Sequence, residues 1–213
     1  MALLNRQLIK LSDRGVRNAT AFGSLNLGSM VFIKKLTSDG SDDTLSFVDG
    51  TSYVVLYDTY KEYMFIFKDI HAETDATNFQ FQGNAAAGSG YNETITSTNF
   101  RAVHNEGGTI TALAYITGGD QAQGTGTAII NYNMGTDNDE NLSGEFWLFN
   151  PSSTTFIKHF IDRTNNTEAS GYSIDAHMAG YVNSTSDVDA IQFSASSGNL
   201  DAGTIKMYGI KDS

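Results

Sequence analysis

The chain contains no cysteine and only one proline among its 213 residues. Without cysteine it can form neither a disulfide framework nor a thiolate metal site, and a cysteine nucleophile is excluded. The longest apolar runs, such as YMFIF and FWLF, have four or five residues, whereas a membrane-spanning helix needs about 18 or more. We therefore expect no membrane span, and a core held together by packing alone.

Basic residues are also scarce, and their distribution is uneven. The chain has 24 acidic and 13 basic side chains, a net charge of −11, which argues against nucleic acid as a main partner. Residues 1–28 reverse this balance, because they contain four basic residues and one acidic residue, Asp13. The four are Arg6, Lys10, Arg14 and Arg17. We place a boundary near residue 28, between a basic N-terminal arm (1–28) and an acidic domain (29–213).

The arm also carries three leucines at helical spacing. Leu4, Leu8 and Leu11 occupy positions i, i+4 and i+7, which would form an apolar stripe on a short helix. Together with the basic stripe they predict an anchor that docks on an acidic surface of a partner protein. The alternatives are a solvated arm, or a helix packed only on its own domain.

The remainder reads as many short strands joined by turns. Twenty-one glycines accompany abundant Ser, Thr and Asn, and apolar residues alternate with polar ones, as Phe79 and Phe81 do with Gln80 and Gln82. The predicted strands are 29–36, 44–48, 62–70, 78–82, 127–133, 144–150, 154–161, 176–182, 189–195 and 203–210. This pattern predicts an all-β fold, an antiparallel β-sandwich or jelly roll.

The last two predicted strands end the chain. We interpret 188–195 and 203–210 as a terminal antiparallel pair, joined by seven residues that suffice for an open hairpin or for a crossing between sheets. The final strand is apolar on both faces, so it should be buried in a sheet or at a subunit contact.

No catalytic constellation is visible in the sequence. The four histidines lack metal-ligand spacing, and no Gly-x-Ser-x-Gly elbow occurs, so we expect a non-enzymatic protein without a cofactor. Asp137 and Asp139 resemble the start of a calcium loop, but Leu142 stands where that loop needs glycine. They are a weak metal candidate, and a solvated turn is the simpler interpretation.

Tyrosines in turn-rich stretches are candidates for stacking on sugars. The chain has ten tyrosines, most of them at strand spacing, where core or cross-strand packing explains them. Tyr91 and Tyr172 lie in stretches rich in glycine and asparagine. We take these two as glycan-binding candidates.

Several motifs carry a resemblance. The segments GEFWLFNP (144–151), VDAIQF (188–193) and SSGNLDAGTIKMYG (196–209) occur in this order. With YKEYMFIFKDIHAETDATNFQFQ (60–82) and the opening fifty residues, they resemble a family of small β-sandwich virion proteins of tailed, marine-type bacteriophages. The resemblance covers nearly the whole chain.

This resemblance implies a structural protein exposed on the phage particle, located in the virion and in the host cytoplasm during assembly. A capsid decoration protein or a short head fibre is the leading hypothesis, with other virion proteins as partners and a homotrimer as the expected oligomer. The alternative is a tail-fibre or tail-tip module that recognises a host surface glycan.

Overall fold

A computed structural model describes residues 21–22, 25–26, 29–86, 88 and 90–212. These residues form fifteen strands, and every strand pairing is antiparallel. The strands are β1 (Ala21–Phe22), β2 (Leu25–Asn26), β3 (Met30–Thr37), β4 (Thr44–Val48), β5 (Glu62–Ala72), β6 (Thr77–Ala85), β7 (Ile95–Asn105), β8 (Thr111–Tyr115), β9 (Ala122–Gly124), β10 (Ala128–Met134), β11 (Leu142–Phe149), β12 (Lys158–Glu168), β13 (Tyr172–Val182), β14 (Val188–Ala195) and β15 (Leu200–Ile210).

The strands β3 to β15 form two layers. The large layer has the order β3-β15-β5-β11-β12-β13-β7, and β8 and β9 pair with different parts of β7. The small layer has the order β10-β6-β14-β4. A single register pair, Met134 with Glu168, joins the two layers. The predicted all-β antiparallel fold is confirmed, and the described part of the chain has no helix that could span a membrane.

Phenylalanine rings fill the space between the layers. Phe193 of β14 is fully buried, and its ring lies within 6.5 Å, between centroids, of six other phenylalanine rings. Those six are Phe47, Phe65, Phe67, Phe79, Phe81 and Phe146. They come from both layers, so Phe193 is the point at which the two layers are packed together. Most of these pairs are edge-to-face or tilted, the arrangement that aromatic quadrupoles favour.

Polar side chains line the seam where β10 crosses the large layer. β10 pairs irregularly with β6, and asparagines satisfy polar groups at this position. The Asn99 amide donates to the Ile129 carbonyl at 2.8 Å, and the Asn166 amide donates to the Tyr132 carbonyl at 3.1 Å. Side-chain hydrogen bonds thus attach β10 to β7 and β12 where few main-chain pairs do so.

Asp162 of β12 is also buried at this seam, and its carboxyl group is poorly satisfied by hydrogen bonds. Among the described residues, neither carboxyl oxygen accepts a hydrogen bond of normal geometry. Burial raises the pKa of this carboxyl well above its usual range, opposed only by the Met178 main-chain N–H. The interior therefore favours the protonated form of Asp162.

Some of the strands differ from those predicted from the sequence. The predicted strand 154–161 is wrong at both ends, because a turn occupies its first half and β12 continues to Glu168. The residues Arg163–Glu168 look like a turn by composition, yet their polar side chains alternate between the seam and solvent. β7 was not predicted, since Thr, Ser and Asn replace the apolar residues that signal a strand. The short strands β8 and β9, of five and three residues, were not predicted either.

The predicted pairing of the last two strands with each other is wrong, whereas the alternative of a crossing between sheets is confirmed. β14 pairs with β6 and β4, whereas β15 pairs with β3 and β5, so the connecting loop crosses from the small layer to the large one. The expectation that the last strand is internal is confirmed, with Ile205 and Met207 fully buried.

We expect Phe193→Ala to lower the free energy of unfolding by about 3–5 kcal/mol, the usual cost of removing a buried aromatic ring. Chemical denaturation measures this cost. The matched control is Phe156→Ala, because Phe156 is 69% exposed and its loss should change stability by less than about 0.5 kcal/mol. Equal effects of the two variants would contradict the packing described here.

We expect Asp162→Asn to stabilise the protein at pH 7 and not at low pH. Burial of a carboxyl whose folded-state pKa is raised costs no stability below its unfolded-state pKa of about 3.9, because the carboxyl is then protonated in both states. The free energy of unfolding falls as the pH rises through the folded-state pKa. Melting temperatures of both proteins, measured from pH 4 to pH 8, should diverge with rising pH. The control, Asp139→Asn, changes an exposed carboxylate and should show no such divergence; a constant offset for Asp162→Asn would refute the assignment.

Candidate functional site

The solvent side of the large layer presents a broad surface, which we call the outer face. It consists of the outward side chains of β5, β11, β12, β13 and β7. Strand alternation sends every second residue of β12 inward, as Phe160 and Asp162 show, and the residues between them outward. The register of the five strands therefore determines which outward side chains become neighbours.

An apolar band crosses the outer face perpendicular to the strands. Trp147 of β11 lies opposite Met64 on one side and Ile161 on the other. Ile161, which is 46% exposed, lies opposite Ala179 of β13. The Trp147 ring also lies beside that of Phe149, with centroids 6.4 Å apart and planes only 12° apart. The two rings are therefore nearly parallel and stacked.

A row of charged residues runs beside this band. Glu145 of β11 lies opposite Arg163 of β12, and Arg163 lies opposite His177 of β13. The Arg163 guanidinium donates two hydrogen bonds to Asp175, from Nε at 3.0 Å and from Nη2 at 2.9 Å. This hydrogen-bonded pair lowers the pKa of the Asp175 carboxyl. A bidentate pair holds the guanidinium in a fixed orientation.

A second aromatic surface closes the far end of the row. The rings of Phe100 and His177 stack with centroids 4.9 Å apart and planes 1° apart. Phe100 is 44% exposed, so one side of this stack faces solvent. His177 is in turn 3.3 Å, Nε2 to Oδ1, from Asp175, which links the aromatic stack to the charged pair.

Between these features the outer face is concave. A depression of about 280 Å³ is lined by Trp147, Ile161, Arg163, Phe100 and Thr98, among others. It shares wall residues with a groove of about 450 Å³ beside Asp175 and with one of about 330 Å³ beside Tyr181. The three are therefore contiguous, and together they form a shallow channel across the strands.

A larger depression lies elsewhere, at the edge of the large layer. It measures about 660 Å³, between β3 and the 49–60 loop, and aromatic residues including Tyr57 and Tyr60 line it. The ring of Phe32 in its wall packs edge-on against that of Tyr208. We take the outer face as the candidate binding surface because it combines aromatic rings with an oriented guanidinium and carboxylate.

The structure does not bring the predicted glycan tyrosines together. Tyr172 opens β13 and pairs with Asn105 at the end of β7, whereas Tyr91 lies in the loop before the start of β7. Ten residues of extended strand separate the two ends of β7, roughly 33 Å. Tyr91 and Tyr172 therefore cannot line one site for a small ligand.

The weak metal candidate lies in a turn that makes its own hydrogen bonds. The Asp137 and Asp139 carboxylates are exposed between β10 and β11, and the Asp137 N–H donates to Glu140 at 3.0 Å. Over the residues that the structure describes, no three His, Asp or Glu side chains are grouped so as to hold a metal ion. The predicted anchor residues lie outside the described residues: Leu4, Leu8, Leu11, Arg6, Lys10, Arg14 and Arg17.

Sequence reasoning missed the residues of the outer face. The only tryptophan of the chain, Trp147, lies in the run FWLF, which is apolar on both faces, a pattern typical of a central strand or of a subunit contact. Phe100, Arg163 and Asp175 come from strands far apart in sequence, and only the register brings them together. The local signals available were Glu145 two positions before Trp147 and Asp175 two positions before His177.

No protein-family model, curated protein or solved structure matches this chain.

We expect Arg163→Gln to raise the pKa of the Asp175 carboxyl toward its ordinary value, because the variant removes the hydrogen bonds that lower this pKa. Titration of the carboxyl by NMR measures the change. The free energy of unfolding should fall by no more than about 1 kcal/mol, the usual limit for a surface ion pair. An unchanged Asp175 titration would mean that the bidentate pair does not form in solution.

Proposed function

We propose that this chain is a non-enzymatic structural protein displayed on the surface of a phage particle, as a capsid decoration protein or a short head fibre. The observation that carries the proposal is the outer face, a wide surface of five strands with ordered aromatic and charged side chains directed to solvent. Such a surface suits binding, and it is built from rigid sheet instead of loops. The resemblance to virion proteins supplies the location.

The strand at which the body begins supports an arm that anchors at one edge of the large layer. The body begins at β3, which is one edge of the large layer, and β7 with β8 forms the other edge. Six strand spacings of about 4.8 Å separate β3 from β7, roughly 29 Å. An arm attached at the β3 edge would leave the centre of the outer face and the β7 edge available to other molecules.

The distribution of charge also supports an arm that binds the particle and a body that faces outward. Subtracting the arm leaves 9 basic and 23 acidic side chains in residues 29–213, a net charge of −14. The arm, with a net charge of +3, is complementary to an acidic partner surface. The net negative charge of the body favours the solubility of a protein displayed in many copies.

A receptor-binding part of the tail is the second candidate function, and the aromatic surfaces of the outer face favour it. Immunogold labelling of particles with an antibody against this protein separates the two. Hundreds of copies spread over the head would support decoration, and labels confined to the tail would transfer the protein to the second candidate. Absence from purified particles would refute both.

We expect the arm to anchor the protein to the particle. Particles lacking the protein are incubated with wild type, with a Leu4/Leu8/Leu11→Ala variant and with an Arg6/Lys10/Arg14/Arg17→Ser variant, and bound protein is quantified. Surface charge pairs contribute only about 0–1 kcal/mol each, so the leucine variant should lose binding at every salt concentration. The charge variant should weaken mainly at low salt, where screening is least. Binding by both variants at the wild-type level would place the contact on the sandwich instead.

A further inference from the structure

We propose that the outer face binds an uncharged glycan, with sugar rings seated in the depression between Trp147 and Phe100. The inference deepens the proposed function, because it assigns a ligand to the exposed face of a particle-bound protein. It rests on three features of that face: its paired aromatic surfaces, its fixed polar groups and its charged centre.

The aromatic surfaces have the shape that sugars require. A pyranose ring presents a face of C–H groups, which packs on a flat aromatic ring, and an edge of hydroxyl groups, which needs hydrogen-bond partners. Trp147 and Phe149 supply one pair of nearly parallel rings, and Phe100 with His177 supplies another. Three strand spacings, roughly 14 Å, separate β11 from β7, so one extended chain of several sugar rings can reach both.

The polar groups lie between the two aromatic surfaces and are already oriented. Arg163 is fixed by its bidentate pair with Asp175, and Glu145 lies opposite it on the neighbouring strand. A carboxylate accepts hydrogen bonds from two adjacent hydroxyls, and a guanidinium donates to ring and hydroxyl oxygens. Groups that are held in place before binding lose little entropy when the ligand arrives.

The charged centre argues against a second protein copy as the occupant. Interfaces between proteins are depleted of charged residues at their core and place them at the rim. On the outer face the order is reversed, because Arg163, Asp175 and Glu145 lie in the middle of the five strands. Burying that row under another protein would require charged partners for each group, whereas a hydrated glycan leaves the row in contact with water.

Charge also selects among glycans. The chain carries a net charge of −11. Among the described residues that line the depression, the one guanidinium, that of Arg163, is paired with Asp175. A polyanionic glycan would meet repulsion from Glu145 without a free cation to offset it. The chemistry of the site therefore fits a neutral chain of hexopyranose units.

The single tryptophan reports directly on this site. The isolated protein is titrated with four neutral hexasaccharides, namely maltohexaose, cellohexaose, chitohexaose and a mannohexaose, and with hexagalacturonate as the anionic comparison. We expect at least one neutral sugar to change the Trp147 emission in a saturable way, with a Kd below about 1 mM, and hexagalacturonate to bind at least tenfold more weakly.

Variants locate the binding. By calorimetry, Trp147→Ala and Phe100→Ala should each weaken binding at least tenfold, and Trp147→Phe should retain most of it because a flat ring remains. Tyr57→Ala is the matched control, since Tyr57 is an aromatic residue 53% exposed in the other large depression, and its affinity should equal that of wild type. Circular dichroism and melting temperature confirm that each variant is folded.

Three results would overturn the inference. They are the absence of saturable binding by all four neutral sugars up to 10 mM (about 10 times the upper Kd expected), affinity that survives Trp147→Ala, and self-association that disappears in that variant. The last result would assign the face to a second copy of the chain. The sugar titration uses isolated protein, so its outcome does not depend on the outcome of the particle labelling. Glycan binding and display on the particle are therefore tested separately.

Discussion

The packing of phenylalanine rings between the two layers sets the geometry of the rest of the protein. Phe193 joins rings from both layers, and its contacts fix which side of β5 and β11 faces inward. Because strand residues alternate, fixing the inner side also fixes the outer one. A slip of one residue in β11 would turn Trp147 into the core and Phe146 into solvent. The outer face is thus a direct consequence of the core.

The seam along β10 shows a different compromise. Where the small layer meets the large one, Asn99 and Asn166 replace main-chain pairing with side-chain hydrogen bonds, and Asp162 is buried without adequate partners. Polar residues in this position cost stability unless every group is satisfied. Asp162 and Asn166 also belong to β12, the strand that carries Arg163 of the charged row. The strand that supports the candidate site, β12, therefore also has inward polar groups without hydrogen-bond partners among the described residues.

Local pattern determined how much could be predicted from the sequence. The all-β antiparallel class followed from alternation such as that of Phe79 and Phe81, and the internal position of β15 followed from its two apolar faces. The strand β12 was cut short because Asn165 and Asn166 resemble a turn by composition. The candidate site was beyond reach, because Arg163 and Phe100 become neighbours only through the pairing of β12, β13 and β7. Register across three strands is a tertiary property that single-sequence patterns do not encode.

The accessibility of Trp147 tests the central claim, that alternation and register place this side chain on an open outer face. The protein has one tryptophan, so quenching of its fluorescence by iodide and acrylamide reports on a single position. The account predicts that both quenchers reach Trp147 in the folded protein, as one population, at protein concentrations from micromolar to near millimolar. Emission that stays unquenched until denaturant unfolds the chain would contradict it, because the ring would then lie in the core or beneath another molecule.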